Sequence, residues 1–434
     1  MRLSNLIITF FLFIGTIVSA QELRRPYRIF KTQEVNYNIR KNNREIINEQ
    51  NKIESNVRDF ERRRFSKEDF RSKDYVGIIF HIVYYPGSTH PNEEQVLSQI
   101  EALNRDFGNN RIQINHPADT LEGFVKNADV INLLFCLPKN LPRNEPPIRF
   151  IASDVKEWKA DDAIKFSDKG GADPINPKKY LNIWVAKLVD GVSGYAQMPG
   201  GPDITDGIVI DYRFFGTFGT TIPPYNEGKT LTHLIGSYMG LYELWNEYAP
   251  CSDDYVKDTP IHNAPNFSQY PYRHVSTCEN RPAEMVMNFM DNTDDSGMYM
   301  FTMGQKIRGV GMLAGPRKGI LTQQTQCSQS LSTLNLVSES NITNNDIKSV
   351  INIKAFPNPA QRQLVLEAHL NEAGSGNVLV YNSIGTVVYS TSIDPFATAQ
   401  SFFIQTEGWA SGSYFVKLVA GNQQGYCHLV IVKN

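Results

Sequence analysis

The segment Thr230–Trp245, TLTHLIGSYMGLYELW, spaces several chemically useful side chains along one predicted helix. His233 is followed by Ser237 four positions later and by Glu243 ten positions later. Residues four apart lie on the same face of a helix, and Gly240 offers a position at which the helix can end and the chain can turn back. An imidazole and a carboxylate brought together in this way could bind a metal ion or transfer a proton.

The same spacing occurs in the zinc-binding pattern HExxHxxGxxH, in which the three histidines bind the metal and the glutamate is the general base. His233 and Gly240 match this pattern. Leu234 stands at the glutamate, Ser237 at the second histidine and Glu243 at the third. Leucine cannot accept a proton, and a neutral hydroxyl is a poor zinc ligand. The segment therefore predicts a zinc-protease helix that lacks its base and has two ligands replaced.

On its own, the segment also fits an amphipathic helix that buries an ordinary histidine. Leu231, Ile235, Tyr238 and Met239 recur at helical spacing and would form its apolar face. In that alternative His233 is a core residue with no ligand. The surrounding sequence has to decide between the two interpretations.

Composition limits what the whole chain can be. It has 434 residues, a formal net charge of -2 and 20% charged residues. The length allows two or more domains, and the charge balance gives no reason to expect nucleic acid as a partner. Five cysteines are too few for a disulfide scaffold, and an odd number leaves at least one thiol.

The N-terminal part has two sections. Residues 1–20 combine Arg2, an apolar run and the small-residue ending Val18-Ser19-Ala20, which predicts a secretory signal peptide. The apolar run is shorter than the roughly 20 residues that span a bilayer, so we expect no transmembrane segment. Residues 21–74 are polar and rich in both signs of charge, which predicts a charged pro-segment or a linker.

The remainder divides into two domains and a connection. Strand-like runs interleave with helical periodicity over residues 75–316, which predicts one α/β or α+β domain. Residues 317–348 are rich in Ser, Thr, Asn and Gln and predict a polar linker. Residues 349–434 alternate in short bursts separated by turns, which predicts an antiparallel β-sandwich of about seven strands.

Eight collinear motifs in residues 75–315 resemble the pappalysin family of metzincin zinc metalloendopeptidases. They are VGIIFHIVYY, NEEQVLSQIEALNRDF, GGADPINPKKYLNIWVAKL, GVSGYAQMPGG, DGIVIDYRFFGT, NEGKTLTHLIGSYMGLYELW, CSDDYVKDTP and VMNFMDNTDDSGMYMFTMGQ. This resemblance implies an α+β fold of the zincin type, with a mixed twisted sheet and an active-site helix.

The resemblance also implies a role for each position. His233 matches the first zinc ligand, Ser237 and Glu243 occupy the other two ligand positions, and Leu234 replaces the catalytic glutamate. Met290 matches the methionine of the Met-turn beneath the metal. Asn292 stands where relatives carry a tyrosine that stabilises the reaction intermediate. Zinc, the family's cofactor, is therefore expected to be absent or weakly bound here.

Two further features follow in the segment after the helix. Cys251 and Cys278 match positions that form a disulfide in the family. The loop CSDDYVKDTP brings Asp253, Asp254 and Asp258 together with backbone carbonyls, an oxygen-rich composition suited to calcium. An ordinary loop built on Asx-turns is the alternative.

The C-terminal region resembles the sorting domain of type IX secretion substrates of Bacteroidetes. The motifs that carry this are AFPNPAQRQLVLE, VLVYNSIGTVV, WASGSYFVKLV and GYCHLVIVKN. The resemblance implies export through the Sec pathway and the type IX machinery, and a secreted or cell-surface location. A carbohydrate-binding or adhesion sandwich is the alternative that the fold alone would allow.

These features favour a secreted, catalytically inactive pseudo-metalloprotease whose cleft still binds a protein or peptide, as a decoy, an adhesin or another binding protein. One alternative is an active endopeptidase with a rearranged zinc site. Glu243 or Glu247 would then act as base with His233, and His262 or His274 would supply a further ligand. Another alternative is a structural surface protein whose cleft has no ligand.

Overall fold

The computed structural model describes residues 27–63, 74–108, 123–267, 274–327, 349–374, 376–382, 387–420 and 423–433. The predicted signal peptide and residues 328–348 of the predicted linker lie outside these ranges.

Five α-helices occur in the described residues: α1 (Thr32–Arg40), α2 (Arg44–Glu61), α3 (Glu93–Gly108), α4 (Lys229–Tyr238) and α5 (Met303–Ala314). The strands of the N-terminal part are β1 (Ile29–Phe30), β2 (Asp74–Tyr84), β3 (Ala128–Asp129), β4 (Leu133–Cys136), β5 (Ile148–Ala152), β6 (Leu181–Ala186), β7 (Val192–Ala196), β8 (Ile208–Asp211), β9 (Phe301–Thr302) and β10 (Leu321–Thr322). Those of the C-terminal part are β11 (Ser349–Val350), β12 (Asn352–Phe356), β13 (Gln363–His369), β14 (Gly376–Asn382), β15 (Val387–Ser392), β16 (Ala399–Gln405), β17 (Gly412–Ala420) and β18 (Gln423–Ile431).

The central sheet of the larger domain has the order β1-β7-β8-β6-β2-β10, with β4 and β5 also pairing with β2. Strands β4, β5 and β6 pair in parallel with β2, and β8 pairs in parallel with β6, whereas β7 is antiparallel to β8 and β10 to β2. β2 is buried along most of its length, as its continuous run of apolar residues predicts. The predicted α+β domain with a mixed sheet is confirmed.

Helix α4 is buried throughout and ends at the glycine that the sequence singles out. Gly240 has φ +77°, a left-handed conformation that favours glycine. Its backbone N–H donates to Ser237 O at 2.9 Å, and that of Leu241 donates to Gly236 O at 3.0 Å. This is a Schellman termination, which turns the chain back toward the helix.

The segment after residue 26 packs on the domain instead of forming a separate tether. β1 pairs in parallel with β7, at the edge of the central sheet. α2 lies against α5, where the buried Arg308 guanidinium donates to both carboxylate oxygens of Glu54, at 3.2 and 2.7 Å. Val57 and Met312 form an apolar cluster in this interface. Most residues of the segment are polar, so it is these few pairings and buried contacts that hold the segment on the domain.

The domain extends further than the sequence indicates. β10 lies within the predicted linker, yet it pairs with Val76 and Tyr75 of β2. Cys327 forms a disulfide with Cys136, which follows from neither the composition nor the family motifs. The predicted linker boundary at residue 317 is therefore wrong, and the fold continues through Cys327.

The C-terminal domain is a two-sheet β-sandwich. One sheet has the order β11-β18-β17-β14-β15 and the other β12-β13-β16. All pairings are antiparallel except the short β11 with β18. Alternate residues of the long strands, including Leu364, Leu366, Val378 and Val416, form its core. The predicted sandwich is confirmed, with eight strands in the described residues.

Candidate functional site

The turn at Gly240 returns the chain so that Glu243 faces the helix residue His233. The Nε2 atom of His233 lies 3.7 Å from Oε1 of Glu243, and both side chains are almost fully buried. The other ring nitrogen, Nδ1, donates to the carbonyl of Phe289 at 2.9 Å. Nε2 of His233 and Oε1 of Glu243 therefore face each other across the site.

Three buried atoms at this site have no hydrogen-bond partner among the described residues. They are Nε2 of His233, Oγ of Ser237 and Oε1 of Glu243. Buried polar atoms are normally paired, and unpaired ones mark functional positions more often than chance. These atoms belong to the three positions that hold the metal in the pattern HExxHxxGxxH, so the frame of that site is preserved.

This donor set does not fit a catalytic zinc. An imidazole nitrogen and a carboxylate oxygen 3.7 Å apart can share a small cation, but a zinc enzyme provides three strong protein ligands and an open position. The third position is the Ser237 hydroxyl. The second oxygen of Glu243 already accepts a short hydrogen bond from Gln33. Weak metal binding through His233 and Glu243 remains a prediction.

The general-base position is part of the apolar core. Leu234 is 0% exposed, and its Cδ1 lies so close to Gly194 of β7 that a Cβ there would approach it to 2.7 Å. The leucine therefore fills the space between α4 and the edge strand. No proton acceptor occupies this position, and a carboxylate placed there would need to be desolvated.

The Met-turn position beneath the site is retained. Met290 is 0% exposed, and its Sδ contacts the backbone of α4 at Gly236. Its carbonyl accepts from the N–H of Leu244 at 3.3 Å, which ties the chain beyond the helix to this turn. Met290 therefore packs against α4, and its role as the floor of a metal site stays a prediction.

The partner of Asn292 is Arg28, whereas the family tyrosine at this position is expected to contact a reaction intermediate. Its side-chain nitrogen donates to the carbonyl of Arg28 at 3.1 Å, and its oxygen accepts from Arg28 Nε at 3.2 Å. The amide thus binds the backbone and the side chain of the N-terminal segment. This pairing gives Asn292 a binding role.

Arg28 occupies a closed pocket beside the site. Its guanidinium forms a 3.0 Å ion pair with Asp295, donates to the Thr293 carbonyl, and lies 4.8 Å from the centre of the Tyr225 ring. The side chains of Arg28 and Asp295 are 0% and 1% exposed. Burial raises the pKa of Asp295 to about 6, although Arg28 counteracts this. The pocket therefore recognises a guanidinium by charge, by hydrogen bonds and by an aromatic face.

The residues after Arg28 cover the rest of the site. Phe30 stacks face to face on the His233 ring, with 3.9 Å between ring centres and an angle of 2°. Gln33 donates to Glu243 and, at 3.3 Å, to the carbonyl of Trp245. The N–H of Lys31 donates to the Gly194 carbonyl at 3.0 Å, which continues the pairing of β1 with β7. Residues 28–31 thus lie along the cleft in an extended conformation, and Gln33 reaches the site from the first turn of α1.

The other histidines considered from the sequence lie around different carboxylates. His262 Nε2 accepts from the N–H of Met285 at 2.9 Å, and Nδ1 is 3.6 Å from Asp291. His274 pairs with Glu284 at 2.5 Å. Burial lowers the pKa of His262 to about 4 and raises that of Asp291 to about 7. None of these contacts involves His233, so the structure does not bring His262 or His274 to the site as a ligand.

The loop after the helix contains the predicted disulfide, between Cys251 and Cys278. The aspartates of this loop accept hydrogen bonds from other groups of the protein. Asp253 accepts from the N–H of Tyr255, Asp254 from Thr259, and Asp258 from the Thr302 hydroxyl and the Gly304 N–H. In the described part of the chain, no group of three or more His, Cys, Asp or Glu side chains converges as a metal site. Calcium binding by this loop stays a prediction.

Sequence reasoning missed Arg28, Phe30 and Gln33, the residues that fill the cleft. All three lie in the charged region 21–74, which was interpreted from its overall composition and not residue by residue. The burst Arg28-Ile29-Phe30 in a polar context was the available signal, and two apolar residues are too short for a periodicity to register.

The fold and the site together define a metzincin-type zincin with a substituted metal site. Comparisons with known proteins give its family. The family model described as pregnancy-associated plasma protein-A matches residues 167–314, and a secretion system C-terminal sorting domain matches residues 354–433. The chain belongs to this pappalysin family of metalloproteases and carries a type IX sorting domain, which makes it a secreted or cell-surface protein.

Solved structures of mirolysin carry the family assignment. Mirolysin in complex with compound 9 is 31% identical, with 59% of this chain and 100% of that chain covered and a TM-score of 0.55. Mature mirolysin of Tannerella forsythia with a cleaved peptide is 33% identical, covers 57% of this chain and 96% of that chain, and has a TM-score of 0.53. A promirolysin mutant of the same organism is 30% identical, covers 68% of this chain and 97% of that chain, and has a TM-score of 0.59.

Curated relatives include an extracellular metalloprotease of Arthroderma gypseum, 34% identical over 159 residues, or 35% of this chain and 51% of the relative. The chain thus spans about half the length of the curated relatives that it matches first. None of the helices in the described ranges has the length and apolar character needed to cross a bilayer.

Proposed function

We propose that the protein is a secreted, catalytically inactive pappalysin whose cleft binds an extended peptide anchored by an arginine. The observation that carries this proposal is the enclosed ion pair of Arg28 with Asp295, next to a strand pairing along β7. The site is built to hold a peptide, while the chemistry to cleave it has been replaced.

Three losses argue against catalysis. A general base contributes a factor of roughly 100 to 10,000 to a rate, and Leu234 provides none. Structural zinc sites bind with about 10 to 16 kcal/mol, and a site reduced to one imidazole and one carboxylate oxygen loses much of that energy. Asn292 replaces the family tyrosine and is already bound to Arg28. No remaining side chain at the site combines base, metal and intermediate stabilisation.

The binding elements do not depend on a metal. Strand addition to an exposed sheet edge uses backbone hydrogen bonds, and pockets for individual side chains give the specificity. β7 provides such an edge, and its pairing with β1 uses it in this way. Tyr225, Asp295 and the carbonyl of Thr293 provide the pocket for the arginine. These groups would select an arginine-containing peptide over one with a neutral side chain.

The N-terminal segment is the resident ligand of this cleft. Because it is part of the chain, its effective concentration at the cleft is of the order of millimolar or more, and any foreign peptide competes with it. The match to promirolysin covers more of this chain than the match to either of the other two mirolysin structures, which supports a correspondence between this segment and a pro-segment. Removal or displacement of the segment would open the cleft to a protein or peptide outside the chain, as expected for a decoy or an adhesin.

Peptide binding to a variant with an emptied arginine pocket tests this function. The full chain carrying Arg28→Ala would be titrated with a labelled peptide of residues 27–36, and with the same peptide in which the arginine is alanine. We expect the arginine peptide to bind at least about tenfold more tightly, and the unaltered chain to bind it weakly because its pocket is filled. Equal affinity for both peptides would refute the arginine-anchored cleft.

Casein cleavage tests the catalytic part separately. The wild-type chain and an N-terminally trimmed form would be incubated with zinc, and each with a chelator as control. We expect no cleavage beyond the chelated control. Chelator-sensitive cleavage would instead establish the alternative of an active endopeptidase with a rearranged site, whatever the peptide titration gives.

A further inference from the structure

A second concave site lies at the carboxyl ends of the central strands. Its walls include the end of β2 at Tyr84 and Tyr85, Lys187 just beyond β6, and Tyr212 just beyond β8. It encloses about 440 Å³ of empty space, part of it open to solvent. Its enclosed part is small, so a ligand bound here would remain partly exposed to solvent. The pocket shares no lining residue with the cleft that holds Arg28.

The topology of the sheet explains why a crevice forms here. β2, β6 and β8 are parallel neighbours, so their carboxyl ends lie at the same edge. After β2 the chain continues to β4 and β5, on one side of β2, whereas after β6 it continues to β7 and β8 on the other side. Connections that leave in opposite directions open a crevice between two strand ends, and ligands of α/β sheets bind at such switch points.

One wall is held in place by backbone hydrogen bonds. The N–H of Trp158 donates to the carbonyl of Lys187 at 2.9 Å, and the N–H of Val189 donates to the carbonyl of Trp158 at 3.0 Å. On the opposite side, the rings of Tyr84 and His90 are 4.2 Å apart. His90 Nδ1 donates to the Pro91 carbonyl at 3.0 Å, which fixes the ring. These contacts hold both walls of the pocket in position.

The lining is positively charged and rich in donors. It contains Lys156 and Lys187 and no carboxylate. Lys156 Nζ lies 5.1 Å from the centre of the Tyr85 ring. Neither ammonium forms an ion pair with a carboxylate among the described residues. Ser88, Thr89 and the tyrosine hydroxyls add further donors.

The acidic residues near the pocket do not neutralise these lysines. Asp211 is fully buried and bound to the guanidinium of Arg213 at 2.9 Å, and Glu157 is exposed and outside the lining. Burial raises the pKa of Tyr212, so its hydroxyl stays protonated and can donate at neutral pH. Two free ammonium groups beside aromatic faces favour a ligand that combines an anionic group with a flat or ring-shaped body.

We propose that this pocket binds a small carboxylate that carries a ring, with Lys156 and Lys187 holding the carboxylate and the aromatic walls covering the ring. Acidic sugars and aromatic carboxylic acids share this chemistry. The site is independent of the proposed peptide cleft, and it requires neither the removal of the N-terminal segment nor a metal.

Ligand-observed NMR and calorimetry on the full chain test the proposal. The probes are D-glucuronate and N-acetylneuraminate for acidic sugars, and 4-hydroxyphenylacetate for aromatic acids. D-glucose and 4-hydroxyphenylacetamide are the matched neutral compounds. We expect at least one acid to bind with a dissociation constant of about 1 mM or tighter, and its neutral counterpart to bind at least about tenfold more weakly. Whichever class of acid binds more tightly, the acidic sugars or the aromatic acid, is the class of ligand that the pocket prefers.

Lysine variants localise the binding. Lys156→Met and Lys187→Met should each weaken the acid about fivefold or more, because each removes one charge from the site. Lys159→Met, an exposed lysine outside the lining, is the matched control and should bind as wild type does. Thermal melting of each variant verifies the fold. The proposal is overturned if no acid binds at about 10 mM, if acids and neutral compounds bind equally, or if folded lysine variants retain full affinity.

Discussion

Replacement of Arg28 by alanine should release the N-terminal segment from the cleft. The substitution removes the ion pair to Asp295, the hydrogen bonds to Asn292 and Thr293, and the contact with the Tyr225 ring. Asp295 would keep the N–H of Glu227 as its closest remaining donor, at 2.8 Å. A buried carboxylate is then left without a counter-charge, which is the costly half of a broken buried pair.

The size of the effect follows from that burial. Removing one partner of a buried ion pair costs about 3–5 kcal/mol, which corresponds to a factor of roughly 100 to 4,000 in the equilibrium for segment opening. The cost should be smaller in acid. The pKa of Asp295 is raised to about 6, so at pH 5 the carboxyl is mostly protonated and needs no counter-charge. At pH 8 Asp295 is ionised beside Arg28, so the ion pair that the substitution removes is fully formed.

Hydrogen exchange measures this opening directly. The N–H groups of Lys31, Ala196 and Met198 donate to Gly194, Thr32 and Asn36 across the junction of the segment and β7. In Arg28→Ala these amides should exchange faster by about two orders of magnitude or more at pH 8, and by less at pH 5.

Two comparisons make this result decisive. Arg44→Ala, at an exposed arginine that begins α2, is the matched control and should exchange as wild type does. Unchanged exchange at Lys31 and Ala196 in Arg28→Ala would refute the argument that the arginine pocket holds the segment in the cleft.

Three further predictions follow. Glu54→Gln should lower the free energy of unfolding by about 1.5–3 kcal/mol in urea titrations, because the buried Arg308 guanidinium then keeps only its 3.4 Å ion pair with Glu61. Arg308→Met should cost less, since both carboxylates are partly exposed to water; equal losses would contradict this reasoning. Burial raises the pKa of Asp291 to about 7, so between about pH 4 and pH 7 the folded state binds a proton that the unfolded state does not, and stability falls as pH rises, by at most about 1.4 kcal/mol per pH unit. Asp291→Asn should remove this pH dependence. The opposite contribution of His262 should then remain, because its lowered pKa makes stability rise with pH between about 4 and about 6.5. The variant Leu234→Glu with Ser237→His and Glu243→His restores three ligands and a base, and it should bind about one zinc per chain in metal analysis; failure to bind zinc while folded would show that the frame around Met290 has changed.

The sequence was sufficient for the elements whose signal extends over many residues. β2 is a long apolar run, α4 ends at Gly240 with φ +77°, and the strands of the sandwich alternate with period two. The collinear motifs placed His233, Ser237 and Glu243 around one point, and the structure brings the His233 and Glu243 side chains to 3.7 Å. Spacing along a helix and a turn determines such geometry locally.

Features that depend on contacts between distant segments could not be predicted from the sequence. The disulfide of Cys136 with Cys327 joins residues separated by 191 positions, and β10 has only two residues, so neither has a local pattern. The ion pair of Arg28 with Asp295 joins residues 267 positions apart. The many charged residues in 21–74 predicted a pro-segment or a linker. The fold nevertheless buries Arg28, because Asp295 provides a counter-charge and Tyr225 an aromatic face for its guanidinium.

Zinc content measured together with proteolysis tests the central claim most directly. The wild-type chain and a form trimmed of its N-terminal segment would be equilibrated with zinc, dialysed, analysed for bound metal and assayed on casein with and without a chelator, beside the variant with three restored positions. We expect well below one zinc per wild-type chain, in both forms, and no chelator-sensitive cleavage. About one zinc per wild-type chain together with chelator-sensitive cleavage would contradict it.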